Sequence, residues 1–202
     1  LLAHDALPDR TLRAMVPVSI RTGDEDDPWS TRVSAIVAEL PTLCDDPRER
    51  VQLCQEAMAD AKKQFDLIPA DAIAEGTQAT SPVVSTAALR LASRLRLADR
   101  INLPTNVVIS NVPGPRQPRY FAGAKLEQYI PISIITDGMG LNITVHSCLD
   151  RLDFGLIAAR ELVPDLWDLA DFHIDEIDQL LEACGIKGAK PRHPVHHRRD
   201  RT

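Results

Sequence analysis

Asn106-Val107-Val108-Ile109-Ser110-Asn111-Val112-Pro113-Gly114-Pro115 is the most informative stretch of this 202-residue chain. Its first half is short and β-branched, which suits a strand. Pro113-Gly114-Pro115 can continue neither sheet nor helix, so the chain must turn sharply there. Residues 141–148 and 153–159 are two more strand-like runs, joined by Leu149-Asp150-Arg151-Leu152 in a β-hairpin pattern. Residues 125–135 are a further strand candidate. Upstream, residues 12–20 (LRAMVPVSI) are apolar on both faces, as in a buried strand. Residues 31–40 (TRVSAIVAEL) alternate at Val33, Ala35 and Val37, again with strand period. The breaker-rich acidic loop Gly23-Asp24-Glu25-Asp26-Asp27-Pro28 lies between these two runs.

Helices fall around these strands. Pro47 opens one, and Val51, Cys54, Met58, Ala61 and Phe65 recur at spacings of three and four. A second is expected from Ser81-Pro82, with Val84, Ala88, Leu91 and Leu95 as its stripe. Arg90, Arg94, Arg96 and Arg100 are left on its solvated side. The last starts near Pro164, buries Leu166, Leu169, His173, Ile177, Leu180 and Cys184, and stops at Gly185. Strands and helices in this order predict an α/β fold: a mixed sheet with packed helices, in residues 1–184. Residues 185–202 read as a basic, disordered tail.

Composition narrows the function. Hydrophobic residues are 44 % and charged residues 26 %, but aromatics only 4 %, so the core rests on aliphatic side chains. Cys44, Cys54, Cys148 and Cys184 are widely spaced, which argues against a metal site or a disulfide framework and for a reducing cytosol. Cys54 sits on an apolar helix face and reads as core. No run reaches the ~20 apolar residues of a membrane span, and the first residues do not resemble a signal peptide. The first residue is Leu, so a start inside a longer protein is expected; processing would give the same beginning. The net charge of −6 is uneven: the tail holds six Lys/Arg against one acid, and the body 17 basic against 28 acidic residues. So acidic a body argues against nucleic-acid binding. The basic tail leaves contact with anionic lipid open.

Candidate chemistry is sparse. In a hairpin, Asp150 could orient His146 as a general base, but an outward strand histidine beside a polar turn is the simpler reading. His173 sits on a helix stripe and reads as a satisfied core histidine. His196 and His197 lie in the tail, where nothing rigid would hold a site. Ser110 stands at a strand-to-turn boundary but lacks the Gly-x-Ser-x-Gly pattern. Asp137-Gly138-Met139-Gly140 is glycine-rich without phosphate-loop spacing, and so reads as a flexible turn between two strands, either purely structural or open to close approach of a ligand to the backbone.

Taken together, several segments resemble the carboxyl-terminal half of bacterial wax ester synthase/diacylglycerol acyltransferases, most of all the mycobacterial type. They are Leu7-Pro8-Asp9-Arg10 with residues 13–21, Ser110-Asn111-Val112-Pro113-Gly114-Pro115, Asp137-Gly138-Met139-Gly140-Leu141-Asn142-Ile143-Thr144-Val145, Asp153-Phe154-Gly155-Leu156, and Val163-Pro164-Asp165. The likeness runs in order over residues 1–184. It implies one half of a chloramphenicol-acetyltransferase-like, CoA-dependent acyltransferase fold, in which two halves meet along a tunnel. It further implies acyl transfer from acyl-CoA, a substrate with no tightly bound cofactor or metal beside it, to diacylglycerol or a long-chain alcohol.

The general base in such enzymes is the second His of a His-His-x-x-x-Asp-Gly motif in the amino-terminal half, and these 202 residues do not contain that motif. The family's Asn-Asp motif would fall upstream of Leu1. Where relatives carry Gly-Asn-Arg-Val-Ser, this chain has Ser30-Thr31-Arg32-Val33-Ser34.

The resemblance thus places no catalytic base here. It points to Asn111 and Ser110 as positioning groups, and to Val112, Pro113, Gly114, Asp137, Gly138, Gly140 and Asn142 along the tunnel or the junction between halves. Expected partners are the amino-terminal half and the two substrates, in the cytoplasm or peripherally on the inner membrane face or lipid droplets. Two other readings stand beside it: a stand-alone enzyme using His146 and Asp150, and a non-catalytic lipid- or partner-binding domain.

Overall fold

The computed structural model describes residues 8–19, 33–67, 105–136 and 138–186. The helix expected from Ser81, the loop 23–28, Asp137 and residues 187–202 of the basic tail lie outside these residues. A five-stranded mixed sheet organises the rest, in the order β2-β1-β3-β6-β7. Its strands are β1 (Leu12–Ser19), β2 (Val33–Leu40), β3 (Val107–Val112), β6 (Leu141–Cys148) and β7 (Arg151–Ala158). The central pairs β1–β3 and β3–β6 are parallel, and the outer pairs β1–β2 and β6–β7 are antiparallel. β4 (Tyr120–Phe121) and β5 (Ala124–Lys125) form a separate small hairpin whose turn residues, Ala122 and Gly123, both have positive φ.

Two helices cover one face of the sheet. α1 (Pro47–Asp66) begins as the sequence predicts: Pro47 is in its first turn, and the Asp46 side chain accepts hydrogen bonds from the backbone N–H groups of Arg48 and Glu49 at 2.8 and 3.0 Å. Ala61, Met58 and Phe65 of α1 pack on Ile36 and Ala38 of β2, with Val16 and Val18 of β1 beside them. Val51, expected on the buried stripe, is exposed at the edge of a groove between the helices. Cys54 lines the same groove half-buried, and desolvation raises its thiol pKa, partly offset by the Arg50 charge. α2 (Leu166–Ala183) packs on β7 through His173 and Phe154, and is tied to α1 by the Arg50–Glu176 ion pair. Gly185 stands just past its end at φ 71°.

Three expectations require correction. β2 has the predicted period but the opposite face: Ile36 and Ala38 are buried, while Val33 and Val37 are exposed. Period alone does not say which set meets the helix. Of residues 125–135 only Lys125 lies in a strand, at the end of β5; from residue 126 the chain crosses the sheet as an extended strap without ladder pairing. In α2, Ile177 and Cys184 are exposed, while Leu166, Leu169, His173 and Leu180 are half-buried, His173 against Phe154 of β7 and Leu180 in the groove beside α1.

Candidate functional site

The side of the sheet away from the helices holds Ser110, Val112, Asn142 and His146 of the residues singled out above. On β6 the alternation Leu141-Asn142-Ile143-Thr144-Val145-His146 puts the apolar set toward the helices and the polar set on the opposite face. That polar set is buried. The strap, residues 126–135, lies over it. Asn142 Nδ2 donates to the Ile134 carbonyl at 3.1 Å, and Thr144 Oγ1 donates to Asn142 Oδ1 at 2.9 Å. The Tyr129 ring stacks on the His146 imidazole with centroids 4.1 Å apart. The Tyr129 N–H donates to Asp153 Oδ2, and Arg151 Nη2 donates to the Glu127 carbonyl, both at 3.0 Å.

Two glycines make this layering possible. A Cβ on Gly155 would lie 1.9 Å from the Pro131 carbonyl oxygen, and one on Gly114 would lie 1.8 Å from that of Ser147 and 2.4 Å from the His146 ring. Only hydrogen in place of a side chain lets the strap and the Pro113-Gly114-Pro115 turn come so close. The turn is also held by Gly114 N–H donating to Ser147 Oγ at 3.0 Å and Leu149 N–H donating to the Pro115 carbonyl at 2.9 Å.

Ser110 and Asn111 are neighbours on β3, so their side chains leave opposite faces of the sheet. Ser110 is half-buried and shares the face of its register partner Thr144. Asn111 is exposed near the strand end, in register with Val145. Val112 is exposed too, opposite His146 in the register. Gly138 has φ 84° and sits in the turn closed by Met139 N–H to the Thr136 carbonyl at 2.9 Å. Gly140 packs under Leu162, and its carbonyl accepts from Ala159 N–H. Thr105, just before β3, is buried and lies 3.5 Å from the Met139 sulfur through Oγ1. Sequence reading missed Thr105, since no motif marks it.

The histidines are also re-sorted. His146 is buried, not an outward surface group, and its Nδ1 has no hydrogen-bond partner. Its register partner is Asp153, while Asp150 is an exposed turn residue with no hydrogen bond to it. The base-and-orienter pair considered for a stand-alone enzyme is therefore not assembled. His173 Nδ1 lies 2.7 Å from the Leu169 carbonyl. A carbonyl oxygen only accepts, so Nδ1 carries the proton, as the core-histidine reading expects.

The chain matches the WS/DGAT C-terminal domain over residues 29–181. It is 40 % identical to the "O-acyltransferase WSD" of Acinetobacter baylyi over 93 % of this chain and 39 % of that protein. It is 37 % identical to the "Probable diacyglycerol O-acyltransferase tgs2" of Mycobacterium tuberculosis over 92 % of this chain and 40 % of that one. Among solved structures, the wax ester synthase/diacylglycerol acyltransferase from Marinobacter aquaeolei VT8 superposes with a TM-score of 0.67 at 33 % identity, covering 92 % of this chain and 40 % of its own. The chain thus spans about two-fifths of each of these relatives, and corresponds to one domain of a chloramphenicol-acetyltransferase-like fold. It belongs to the wax ester synthase/diacylglycerol acyltransferase family, as the family's C-terminal domain.

Proposed function

We propose that this chain is the carboxyl-terminal half of an O-acyltransferase that moves a fatty acyl group from acyl-CoA to diacylglycerol or a long-chain alcohol, and that these 202 residues are inactive without a half bearing His-His-x-x-x-Asp-Gly. The observation carrying this is the family match over residues 29–181, together with the absence of that motif from the sequence. In the reaction a base of the other half takes the acceptor's hydroxyl proton, and the oxygen attacks the thioester carbonyl. The resulting oxyanion collapses, expelling the CoA thiolate, which takes up the proton. This half's part is to shape the tunnel and donate hydrogen bonds to the oxyanion. Asn111 and Ser110 are the candidate donors, with Val112, Pro113, Gly114, Asp137, Gly138, Gly140 and Asn142 shaping the wall around them.

No tightly bound cofactor is required, because the thioester itself activates the acyl group. The partners are the amino-terminal half and the two substrates, in the cytoplasm or against the inner membrane face or a lipid droplet. Among the described residues, no helix is long and apolar enough to cross a membrane. The test is transfer of labelled palmitate from palmitoyl-CoA to diacylglycerol and to hexadecanol, by this chain alone and with the amino-terminal half supplied. Activity only in the mixture supports the reading. Activity of the chain alone overturns it, and lipid binding without turnover in the mixture favours a non-catalytic binding domain.

A further inference from the structure

Every residue from 116 to 125 is exposed, a run that contains the small β4–β5 hairpin. Tyr120 and Phe121 are neighbours on β4, so their rings leave opposite faces of the ribbon, yet they are 66 and 87 % exposed. A Cβ added to Gly123 in the turn would meet nothing within 4 Å. The hairpin therefore stands clear of the other described residues on both faces. Its charge is one-sided as well: Arg116, Arg119 and Lys125 fall within the run and no acid does, although the body of the chain is acidic. Lys125 reaches Glu127 at 3.1 Å, while Arg116 and Arg119 have no ion-pair partner among the described residues.

The β6–β7 turn is fastened beside the base of this hairpin. Leu149 N–H donates to the Pro115 carbonyl at 2.9 Å, Leu126 N–H to the Arg119 carbonyl at 2.8 Å, and Arg151 Nη2 to the Glu127 carbonyl at 3.0 Å. That turn also shows apolar side chains, since Leu149 and Leu152 are exposed. Leu149 holds φ 56°, a conformation that costs a bulky residue strain. One corner of the domain thus carries two rings, two leucines and the cations Arg116, Arg119, Lys125 and Arg151 against the acids Glu127 and Asp150.

We propose that the β4–β5 hairpin is an interfacial finger that inserts Phe121 and Tyr120 into an anionic phospholipid membrane surface, with Arg116, Arg119 and Lys125 against the lipid phosphates. The proposal rests on the acyl-transfer reading only for its setting, because an enzyme of lipid acceptors works where those lipids lie. Two observations select this occupant. A protein partner lying against the ribbon covers one face and leaves the other ring in water, whereas a lipid interface surrounds the tip and takes in both. Rings beside unpaired cations are also the combination that a bilayer interface holds, through apolar burial and attraction to anionic headgroups together. The acidic remainder of the chain is repelled by the same surface, so contact through this corner fixes the orientation.

The experiment measures co-sedimentation with phosphatidylglycerol and with phosphatidylcholine vesicles, for this chain alone and with the amino-terminal half supplied. Binding to phosphatidylglycerol vesicles is expected in both cases. It should weaken by roughly tenfold or more in Phe121→Asp and persist in Phe121→Trp. Arg116→Gln and Arg119→Gln should each cost about fivefold on phosphatidylglycerol. Phe121 touches water on most of its surface, so an unchanged melting temperature of Phe121→Asp separates lost binding from lost folding. Absence of binding, equal binding to both lipids, or binding that Phe121→Asp leaves untouched overturns the proposal. So does binding that disappears only when Arg198, Arg199 and Arg201 are changed to Gln, which would name the tail instead. If the amino-terminal half displaces the vesicles, or Phe121→Asp blocks its association, the hairpin is a contact between halves and the proposal falls. Vesicle binding is read without turnover, so it can fail while acyl transfer is found, and the reverse.

Discussion

Gly155 shows how much one absent methyl group matters here. Its Cα lies against the Pro131 carbonyl, and the obstructing atom is backbone, which cannot swing aside as a side chain can. Gly155→Ala is expected to lift the strap off β7 and destabilise the chain by about 1–3 kcal/mol, the usual cost of overpacking, read as a lower midpoint in urea. The family motif around Asp153-Phe154-Gly155-Leu156 was legible in the sequence, but the reason for the glycine was not, because Pro131 is 24 residues away. The same holds for His146: its strand was evident, yet its burial depends on Tyr129, whose approach no local pattern announces. For Asn111, the expected outcome in the two-half enzyme is a fall in kcat of about 10²–10³ on Asn111→Ala with little change in KM, the signature of a lost oxyanion donor. Because Ser110 leaves the other face of β3, Ser110→Ala serves as the contrast, and equal losses from both would argue against a single small site.

Among the elements, α1 is the one most completely readable from sequence. Asp46 and Pro47 mark its start, and the two N–H groups that Asp46 accepts hold its carboxyl pKa below the ordinary aspartate value. A pKa lowered on folding means that the stabilisation is fully present above the unfolded value and is lost as pH falls through the folded one. Asp46→Ala should lower the melting temperature by about 2–4 °C at pH 7. Asp46→Asn should keep most of the cap while flattening the acid side of a stability–pH curve, since an amide accepts the same bonds without titrating. Thermal melts between pH 2 and 7 would check both. By contrast, the β4–β5 hairpin was invisible beforehand: each strand has two residues, and its turn begins with Ala122 at φ 48°, not with a residue that advertises the left-handed region.

At the scale of the whole molecule, layer type and the positions of the five strands of the main sheet followed from periodicity and breakers, while the strap over 126–135 and the sidedness of the strands did not. β2 and β6 make the point from opposite directions. β2 buries Ile36 and Ala38 rather than Val33 and Val37, and β6 buries Asn142, Thr144 and His146 beneath a strap instead of showing them to water. Both outcomes depend on what lies across the sheet, which is long-range information. The expected positioning residues spread over β3, the turn after it and the start of β6, all in neighbouring strands, so the family motifs locate a region better than they locate an atom. Replacing His146 by Leu tests what the buried imidazole is worth. With Nδ1 unpartnered, an apolar side chain should be tolerated, changing stability by less than about 1.5 kcal/mol in a urea titration.

The strap's lack of ladder pairing also governs how the domain opens. Segments with few backbone hydrogen bonds leave the native state at lower free energy than the strands beneath them. Here the first excursion would detach residues 126–135 and bring solvent to Asn142, Thr144 and His146 while β3, β6 and β7 stay paired. The domain would then exist as two exchanging forms, a closed one with the strap seated and an open one with the polar face of β6 wetted.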